Sequence, residues 1–263
     1  FHPKQSLIVS ASADSTVIIW DYITGKIVRK LDKFDNKVTS VKYNESGSLL
    51  YVCSKSLYMI EIDSYTITKQ FSDYFYLKVV PSNKGFVYLA KDASSTFYGC
   101  KEVETYKEST NFVGEKRAFA LKSNNDLSFY SLGSYSSELV LFKYEKGLYV
   151  KADKVTEHHR KFKIISIAAT SELVAMCNKE RIIYVYEAKK LKKKYQLAGH
   201  NSLPTSLSIS NDNKWLASSD ETGTIFLWDL KSGKLVKVLQ AKLADVAEAC
   251  LTNNQDEVII LYK

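Results

Sequence analysis

The chain has no uninterrupted apolar run of the roughly 18 residues that a membrane-spanning helix needs, so no membrane span is expected. Proline and glycine are scarce, with three and ten among 263 residues, which excludes collagen-like and long disordered compositions. The first residues carry neither a charged start nor an apolar signal core, so no secretory signal is visible. These absences leave a folded domain as the expectation.

Catalytic motifs are also missing. The sequence holds no G-x-S-x-G, no H-E-x-x-H, no P-loop and no dinucleotide fingerprint, and its carboxylates are scattered at turns. The one histidine pair, His158-His159, makes a poor joint metal site on a strand because adjacent side chains point to opposite faces. Only in a turn could the two rings converge. We therefore expect no enzyme activity, no cofactor, no metal site and no small-molecule substrate.

None of the four cysteines belongs to a C-x-x-C pair; they are Cys53, Cys100, Cys177 and Cys250. Each lies in or near an apolar, strand-like run, which predicts buried free thiols in a reducing compartment. Zinc is disfavoured because tetrahedral zinc sites usually take closely spaced ligand pairs.

Apolar residues, tyrosines and positive charge are plentiful. The apolar fraction is 45%, enough for a sizeable core, and the eighteen tyrosines suit β-strands. Thirty-seven lysines and arginines against 29 carboxylates give a formal net charge of +8. This balance bears on partners rather than on the fold, and it allows a nucleic acid, an acidic protein or an anionic membrane surface as partner.

The stretch from Ala198 to Leu239 contains four short runs of strand length, bounded by Gly, Asn, Asp or Ser. The runs are Pro204 to Ser210, Lys214 to Ser219, Thr224 to Asp229 and Leu235 to Leu239. A Gly-His pair opens the stretch and a Trp-Asp pair closes its third run. These two dipeptides at this separation are typical of a propeller blade of about 40–45 residues.

Residues 7–31 repeat this arrangement from the second strand onward. Ser10, Asp14 and Trp20 recur at the expected spacing, and Thr24-Gly25 forms the turn before the last strand. The strand and the Gly-His pair that would come before Phe1 are missing. The sequence therefore starts inside a blade.

These residues resemble the WD-repeat family, and the resemblance implies a ring of four-stranded blades. In that family a His, a Ser, an Asp and a Trp form a hydrogen-bonded chain that locks each blade, which is a structural role. The matching residues are Ser10, Asp14 and Trp20 in one repeat, and His200, Ser218 and Trp228 in the other. In the second repeat the Asp position falls on Thr222, so the chain is incomplete unless Asp220 reaches in.

The predicted fold is an all-β propeller of seven blades, each with four antiparallel strands. The blades cover approximately residues 1–31 (partial), 32–71, 72–108, 110–152, 153–197, 198–239 and 240–263 (partial). An open ring exposes the edges of its end blades. We therefore expect the chain to be a piece of a longer protein, or its missing strands to come from elsewhere.

The blades between the two good repeats are degenerate. Glu61-Ile62-Asp63 and Tyr186-Glu187 stand where Trp-Asp would be in the second and fifth blades. The third and fourth blades carry neither signature dipeptide, and their strands follow from spacing alone. The strands predicted for the third blade are Leu77 to Val80, Phe86 to Ala90, Thr96 to Cys100 and Glu102 to Tyr106, and those for the fourth are Arg117 to Lys122, Leu127 to Leu132, Glu138 to Tyr144 and Leu148 to Lys151.

A lysine cluster lies in the segment AKKLKKKY, which covers the turn before the outer strand of the fifth blade and the start of that strand; it comprises Lys189, Lys190, Lys192, Lys193 and Lys194. Three further cations lie in the entry loop of the same blade, namely Arg160, Lys161 and Lys163. One interpretation is a solvated edge that blocks pairing with other sheets. The other is a contact to RNA phosphates or to an acidic partner. The nearby Tyr184, Tyr186 and Tyr195 fit strand packing better than base stacking.

The order of blades resembles, more narrowly, the N-terminal propeller of nucleolar WD-repeat subunits of the small-subunit processome, in the transcription-linked group. This resemblance rests on Trp20-Asp21-Tyr22-Ile23 and on the lysine cluster just before the good Trp-Asp blade. It implies a scaffold in ribosome biogenesis and pre-rRNA processing, with protein subunits and pre-ribosomal RNA as partners. The implied location is the nucleolus, with the cytoplasm as alternative. The alternative function is a peptide-recruiting adaptor of a ubiquitin ligase or a vesicle coat.

Overall fold

The computed structural model describes residues 1–32, 34–82, 85–91, 96–102, 108–111, 122–123, 129–132, 138–145, 148–156, 164–170, 172–178, 180–210, 212–241, 246–251 and 258–262. Every regular element within these ranges is a β-strand. In each sheet, strands that follow one another along the chain are neighbours. This meander order is the one that short turns between antiparallel strands allow.

Cα distances divide the chain into two compact units, residues 1–129 with 142–150 and residues 130–141 with 151–263. The first unit opens with a three-stranded sheet of β1 (Leu7–Ala11), β2 (Val17–Asp21) and β3 (Ile27–Leu31). The second sheet contains β4 (Ser40–Tyr43), β5 (Leu49–Cys53), β6 (Leu57–Glu61) and β7 (Ile67–Phe71). The third contains β8 (Phe75–Ser82), β9 (Gly85–Lys91), β10 (Thr96–Glu102) and β11 (Glu108–Asn111).

The fourth sheet consists of β12 (Lys122–Ser123), β13 (Phe129–Leu132), β14 (Glu138–Glu145) and β15 (Leu148–Thr156). In the second unit the fifth sheet contains β16 (Ile164–Ala169), β17 (Leu173–Asn178), β18 (Ile183–Glu187) and β19 (Lys192–Leu197). The sixth contains β20 (Pro204–Ile209), β21 (Trp215–Asp220), β22 (Thr224–Asp229) and β23 (Lys234–Gln240). The seventh contains β24 (Val246–Leu251) and β25 (Val258–Tyr262).

The predicted fold class is confirmed: four-stranded antiparallel sheets lie between a three-stranded first sheet and a two-stranded last sheet. The predicted strand Glu102 to Tyr106 does not begin at Glu102, because β10 continues through that residue; the rest of the predicted strand lies outside the described residues, and the outer strand is Glu108–Asn111. The predicted boundary between the third and fourth blades therefore falls inside β11. The starts of the predicted strands at 117–122 and 127–132 lie outside the described residues.

Within each unit, the core clusters of the described residues lie between consecutive sheets. In the first unit Leu50 packs in one cluster with Ile19 of the preceding sheet, whereas its neighbour Tyr51 packs with Phe86 of the following sheet. Successive side chains of a strand point to opposite faces, so a strand between two sheets buries both. This is why Leu49–Cys53 is a continuous apolar run instead of an alternating one.

The last strand of each well-described four-stranded sheet is exposed. In β19 all residues except Tyr195 and Leu197 are exposed, and in β23 only Leu239 is partly covered. These strands have a neighbour on one side only, because each is the end of its sheet. The sheet edge therefore carries exposed side chains that a partner can reach.

The turn before the last strand explains the Asp of the Trp-Asp pair. The carboxylate of Asp21 accepts hydrogen bonds from the backbone N–H groups of Ile23 and Thr24, and Gly25 then takes a left-handed φ of 70°. In the sixth sheet Asp229 accepts from the Lys231 N–H and the Ser232 hydroxyl, and Gly233 also has a φ of 70°. Glycine suits this position because a Cβ disfavours positive φ.

Candidate functional site

The sixth sheet contains a closed chain of side-chain hydrogen bonds. His200 Nδ1 lies 2.9 Å from Asp220 Oδ2, and His200 Nε2 lies 2.7 Å from Ser218 Oγ. The indole N–H of Trp228 donates to the same Ser218 oxygen at 2.8 Å. All four residues are buried. Ser218 and Asp220 can both reach one imidazole because residues two apart on a strand share a face.

The chemistry of the donors fixes the protons in this chain. An ionised carboxylate only accepts, so His200 donates from Nδ1 to Asp220. The indole of Trp228 only donates, so Ser218 accepts from it and donates its own hydroxyl to His200 Nε2. This pattern needs a neutral imidazole. Burial lowers the pKa of His200, against the opposing effect of the Asp220 hydrogen bond and charge, so the neutral form is favoured.

The aspartate of this hydrogen-bonded chain is Asp220, and Thr222 donates hydrogen bonds to it. Asp220 Oδ1 accepts hydrogen bonds from Thr222 Oγ1 at 2.6 Å, from the Thr222 N–H and from the Thr224 N–H. Burial opposes the charge on Asp220, but the bonds from Thr222, His200 and Thr224 outweigh it and lower the pKa of the carboxyl. The position counted by sequence spacing was thus two residues too late.

The first sheet holds only part of this arrangement. The indole of Trp20 donates to Ser10 Oγ at 2.9 Å. Asp14 is exposed and accepts from the Thr16 N–H and hydroxyl within its own turn, so its predicted place in the chain is wrong. The residue two after Ser10, on the same strand face, is Ser12 rather than an aspartate.

The degenerate sheets substitute other groups at the Trp position. Strand register places Ile60 and Tyr186 where Trp228 stands, since each pairs with the second residue of the preceding strand. The Trp-Asp equivalent in the second sheet is therefore Ile60-Glu61, not a pair within Glu61-Ile62-Asp63. In the fifth sheet it is Tyr186-Glu187, as the sequence predicts.

The third sheet places a buried lysine at this position. Lys101 pairs with Phe86 of β9, and its Nζ lies 2.7 Å from Asp73 Oδ2. Tyr76 donates its hydroxyl to the other oxygen of Asp73 at 2.6 Å, and the ammonium lies 4.8 Å from the centre of the Phe71 ring. Sequence reasoning missed this ion pair. The available signal was an acidic residue just before the inner strand, where the sixth sheet has its histidine.

The lysine cluster lies at the turn and outer strand of the fifth sheet, and all five side chains are exposed. Lys189 and Lys190 belong to the turn after β18, and Lys192, Lys193 and Lys194 begin β19. Two of the ammonium groups lie above tyrosine rings: Lys193 Nζ is 5.5 Å from the centre of Tyr184, and Lys194 Nζ is 5.3 Å from that of Tyr195. The other cations of the predicted site, Arg160, Lys161 and Lys163, lie outside the described residues.

The tyrosines beside the cluster pack into the sheets. Tyr184 and Tyr186 are buried. Tyr195 packs against the core cluster that the fifth and sixth sheets share, and its hydroxyl donates to the carbonyl of Lys231 at 2.7 Å. Tyr195 therefore holds the lysine-bearing strand against the next sheet.

A small groove of about 160 Å³ lies in the first unit beside the outer strands of the first two sheets. It is lined mainly by Arg29, Leu31, Phe34, Ile60, Tyr65 and Ile67, with Lys30 and Asp32. The guanidinium of Arg29 lies 5.2 Å from the centre of the Tyr65 ring. Such a groove can take an apolar side chain beside a positive charge.

Within the described ranges, no three His, Cys, Asp or Glu side chains are grouped as metal ligands would be. His158-His159 lies outside those ranges. Cys53 and Cys177 are buried free thiols, and burial raises the pKa of Cys53. The part of the chain that the structure describes contains no helix able to cross a membrane.

Comparison with known proteins agrees with this geometry. The family model of the WD domain, G-beta repeat, matches residues 1–21 and 191–229, which include the Trp20–Ser10 pair and the complete chain of the sixth sheet. The solved β-propeller domain of Cps50 (Swd1) from Myceliophteria thermophila superposes with a TM-score of 0.79 at 13% identity, over 99% of this chain and 90% of that one. The chain folds as a β-propeller. Its sheets are blades, and the first and sixth blades match WD repeats.

Relatives of this propeller carry varied names. The mitotic checkpoint protein bub-3 of Caenorhabditis elegans is 38% identical over 63 residues, 24% of this chain and 18% of its own length. The human DDB1- and CUL4-associated factor 4-like protein 2 is 39% identical over 61 residues, which are 23% of this chain and 15% of that protein. The WD repeat-containing protein 55 homolog of Drosophila ananassae is 24% identical over 143 residues, which cover 51% of this chain and 29% of that protein. The propeller thus aligns with less than a third of each relative's length.

Proposed function

We propose that this propeller is a non-enzymatic scaffold that joins protein subunits of a larger assembly and contacts RNA through the lysine cluster of its fifth blade. The observation that carries the proposal is the exposure of all five lysines within residues 189–194. A propeller supplies a rigid frame, and its function depends on the sites on its surface. This surface site is strongly cationic.

The lysine cluster has a high density of positive charge. Five ammonium groups within six residues attract a chain of phosphates, and binding releases the counterions that the phosphates had condensed. The net charge of +8 adds a long-range attraction of the same sign. Because the lysines are exposed, they need no large desolvation before they contact a phosphate.

The assembly we propose is the small-subunit processome, so that the partner RNA is pre-ribosomal and the location nucleolar. Support comes from the blade order and from the position of the lysine cluster directly before the well-formed Trp-Asp blade. The names of the relatives refer to a mitotic checkpoint protein and a DDB1- and CUL4-associated factor, so they support a scaffold role in general. They do not distinguish one assembly from another.

The competing explanation for the lysines is protection of a sheet edge. β19 is the end strand of its sheet, and lysines on such strands discourage pairing with other chains. The two explanations differ in one consequence. Edge protection predicts that charge removal promotes self-association without affecting RNA, whereas an RNA contact predicts loss of RNA from a protein that stays monodisperse.

The test is crosslinking of the tagged protein to RNA in cells, followed by sequencing of the attached RNA. The test variant replaces the five cluster lysines with glutamate. A matched control replaces five exposed lysines of the first two blades, namely Lys4, Lys26, Lys37, Lys42 and Lys55. Enrichment of pre-ribosomal RNA that the cluster variant loses and the control keeps is the expected result. Enrichment of other RNA would refute the processome, and no attached RNA would refute the RNA contact.

A second candidate is a peptide-recruiting adaptor, and the groove beside Arg29 and Tyr65 favours it. One relative is named as a DDB1- and CUL4-associated factor, a name that refers to association with other proteins. An apolar anchor residue flanked by acidic residues would fit the groove, since Ile67 is exposed at its edge. Replacing Ile67 with Lys should then remove a set of co-purifying proteins that the cluster variant retains.

A further inference from the structure

Tyr195 connects the lysine-bearing strand of the fifth blade to a turn of the sixth. Its hydroxyl donates to the carbonyl of Lys231 at 2.7 Å. Its ring packs so closely on Gly233 that a Cβ there would lie 2.5 Å from Tyr195 Cδ1. The start of β19 and the turn before β23 therefore form one surface.

Lysines lie on both sides of this contact. Lys194 precedes Tyr195 and places its ammonium 5.3 Å from the centre of the tyrosine ring. Lys231 and Lys234 flank Gly233 in the turn, and both are exposed. We define the two-turn lysine face as the five cluster lysines together with Lys231 and Lys234.

Carboxylates on this face are fewer than cations. Residues 187–194 hold one glutamate beside five lysines, and residues 229–234 hold one aspartate beside two lysines. That aspartate, Asp229, already accepts from the Lys231 N–H and the Ser232 hydroxyl. Lys214 lies nearby, since its carbonyl accepts from the Leu230 N–H, but its ammonium pairs with Asp212 at 3.0 Å. We therefore leave Lys214 out of the face.

We propose that the two-turn lysine face is one continuous RNA site spanning two blades, and that it recognises phosphates rather than bases. This proposal rests on the proposed function and extends it from the fifth blade to the sixth. Base recognition by stacking needs exposed aromatic rings. The tyrosines beside the lysines are occupied: Tyr184 and Tyr186 are buried, and Tyr195 holds the turn.

The experiment measures binding of the full chain to short fluorescent poly(U) and poly(A) strands over a range of salt concentrations. Three variants are compared: Lys231→Gln/Lys234→Gln, the five cluster lysines changed to Gln, and the control pair Lys42→Gln/Lys55→Gln. We expect the sixth-blade pair to lose about five- to tenfold in affinity, and its salt slope to fall by about 0.7 for each lost phosphate contact. The control pair removes equal charge from the second blade and should keep wild-type affinity.

The outcomes separate the two proposals. Failure of the wild-type chain to bind RNA refutes both. Binding that needs the cluster lysines but is unchanged in the sixth-blade pair keeps the proposed function and overturns the two-blade site. A marked preference for one base overturns phosphate recognition. Complete displacement of RNA by poly-glutamate, with tighter binding of that polymer, assigns the face to an acidic protein instead. Thermal melts check that every variant is folded.

Discussion

The Nδ1 atom of His200 lies 2.9 Å from Oδ2 of Asp220, and the two side chains are buried together although 20 residues separate them in the chain. Asp220 ends β21, and His200 lies just before the inner strand of the same blade. This contact therefore ties the start of the sixth blade to the end of its second strand. The contact therefore stabilises the blade, and its removal should lower the free energy of unfolding.

Replacing Asp220 with Ala should destabilise the protein by about 3 kcal/mol, because it leaves the His200 N–H and the N–H groups of the following turn without their acceptor. Thr222→Ala is the matched control and should cost about 1 kcal/mol, because it removes one hydroxyl bond only. Urea unfolding gives both values. Equal losses in the two variants would refute the assignment of Asp220 to the chain.

Stability should fall as the pH drops below about 6.5, the ordinary histidine pKa. The pKa of His200 is lowered in the folded state, so on acidification the unfolded chain takes up the proton first. Stabilisation by neutral His200 is thus fully present above the unfolded pKa and is lost as the pH falls toward the folded pKa, at up to about 1.4 kcal/mol per pH unit.

The pH series is measured on wild type and on His200→Gln. Burial also lowers the pKa of His2, so part of the slope remains in the variant. The difference between the two slopes isolates His200. Identical slopes would mean that His200 keeps an ordinary pKa in the fold.

Two glycines with the same backbone angle should respond differently to alanine. Gly25 and Gly233 both have a φ of 70°, but a Cβ at Gly25 meets no atom within 4 Å, whereas one at Gly233 meets the Tyr195 ring. Gly25→Ala should cost about 1 kcal/mol, for the backbone alone. Gly233→Ala should cost about 1–3 kcal/mol more, through the clash. Chemical denaturation of the two variants tests this, and equal costs would contradict the tyrosine contact.

The Lys101–Asp73 pair should show a favourable coupling of about 1–2 kcal/mol in a double-mutant cycle, because the ammonium is buried while the carboxylate is partly exposed. The cycle uses Lys101→Met, which keeps the packing over Phe71, and Asp73→Asn, which keeps the shape. Unfolding free energies of the four proteins supply the coupling. A coupling near zero would show that Lys101 contributes only through its aliphatic chain.

Much of the fold could be predicted from the sequence because its signals are local. Strands such as Thr224–Asp229 are short and bounded by turn residues. The Trp-Asp pair and Gly233 together predict the tight turn before the last strand of the blade. The exposure of the lysine cluster also followed from its place at a turn and an end strand. Where the local signal faded, as at Glu102, the strand boundary was predicted wrongly.

The sequence by itself thus determined the strand lengths, the meander order and the two repeats, because each depends on residues a few positions apart. The tertiary structure alone decided which aspartate hydrogen-bonds to His200, that Lys101 forms an ion pair with Asp73, and that Tyr195 donates to the carbonyl of Lys231. These partners lie 20, 28 and 36 residues apart in the chain. Their contacts depend on strand register and on the packing of one sheet against the next, which a count along the sequence does not contain.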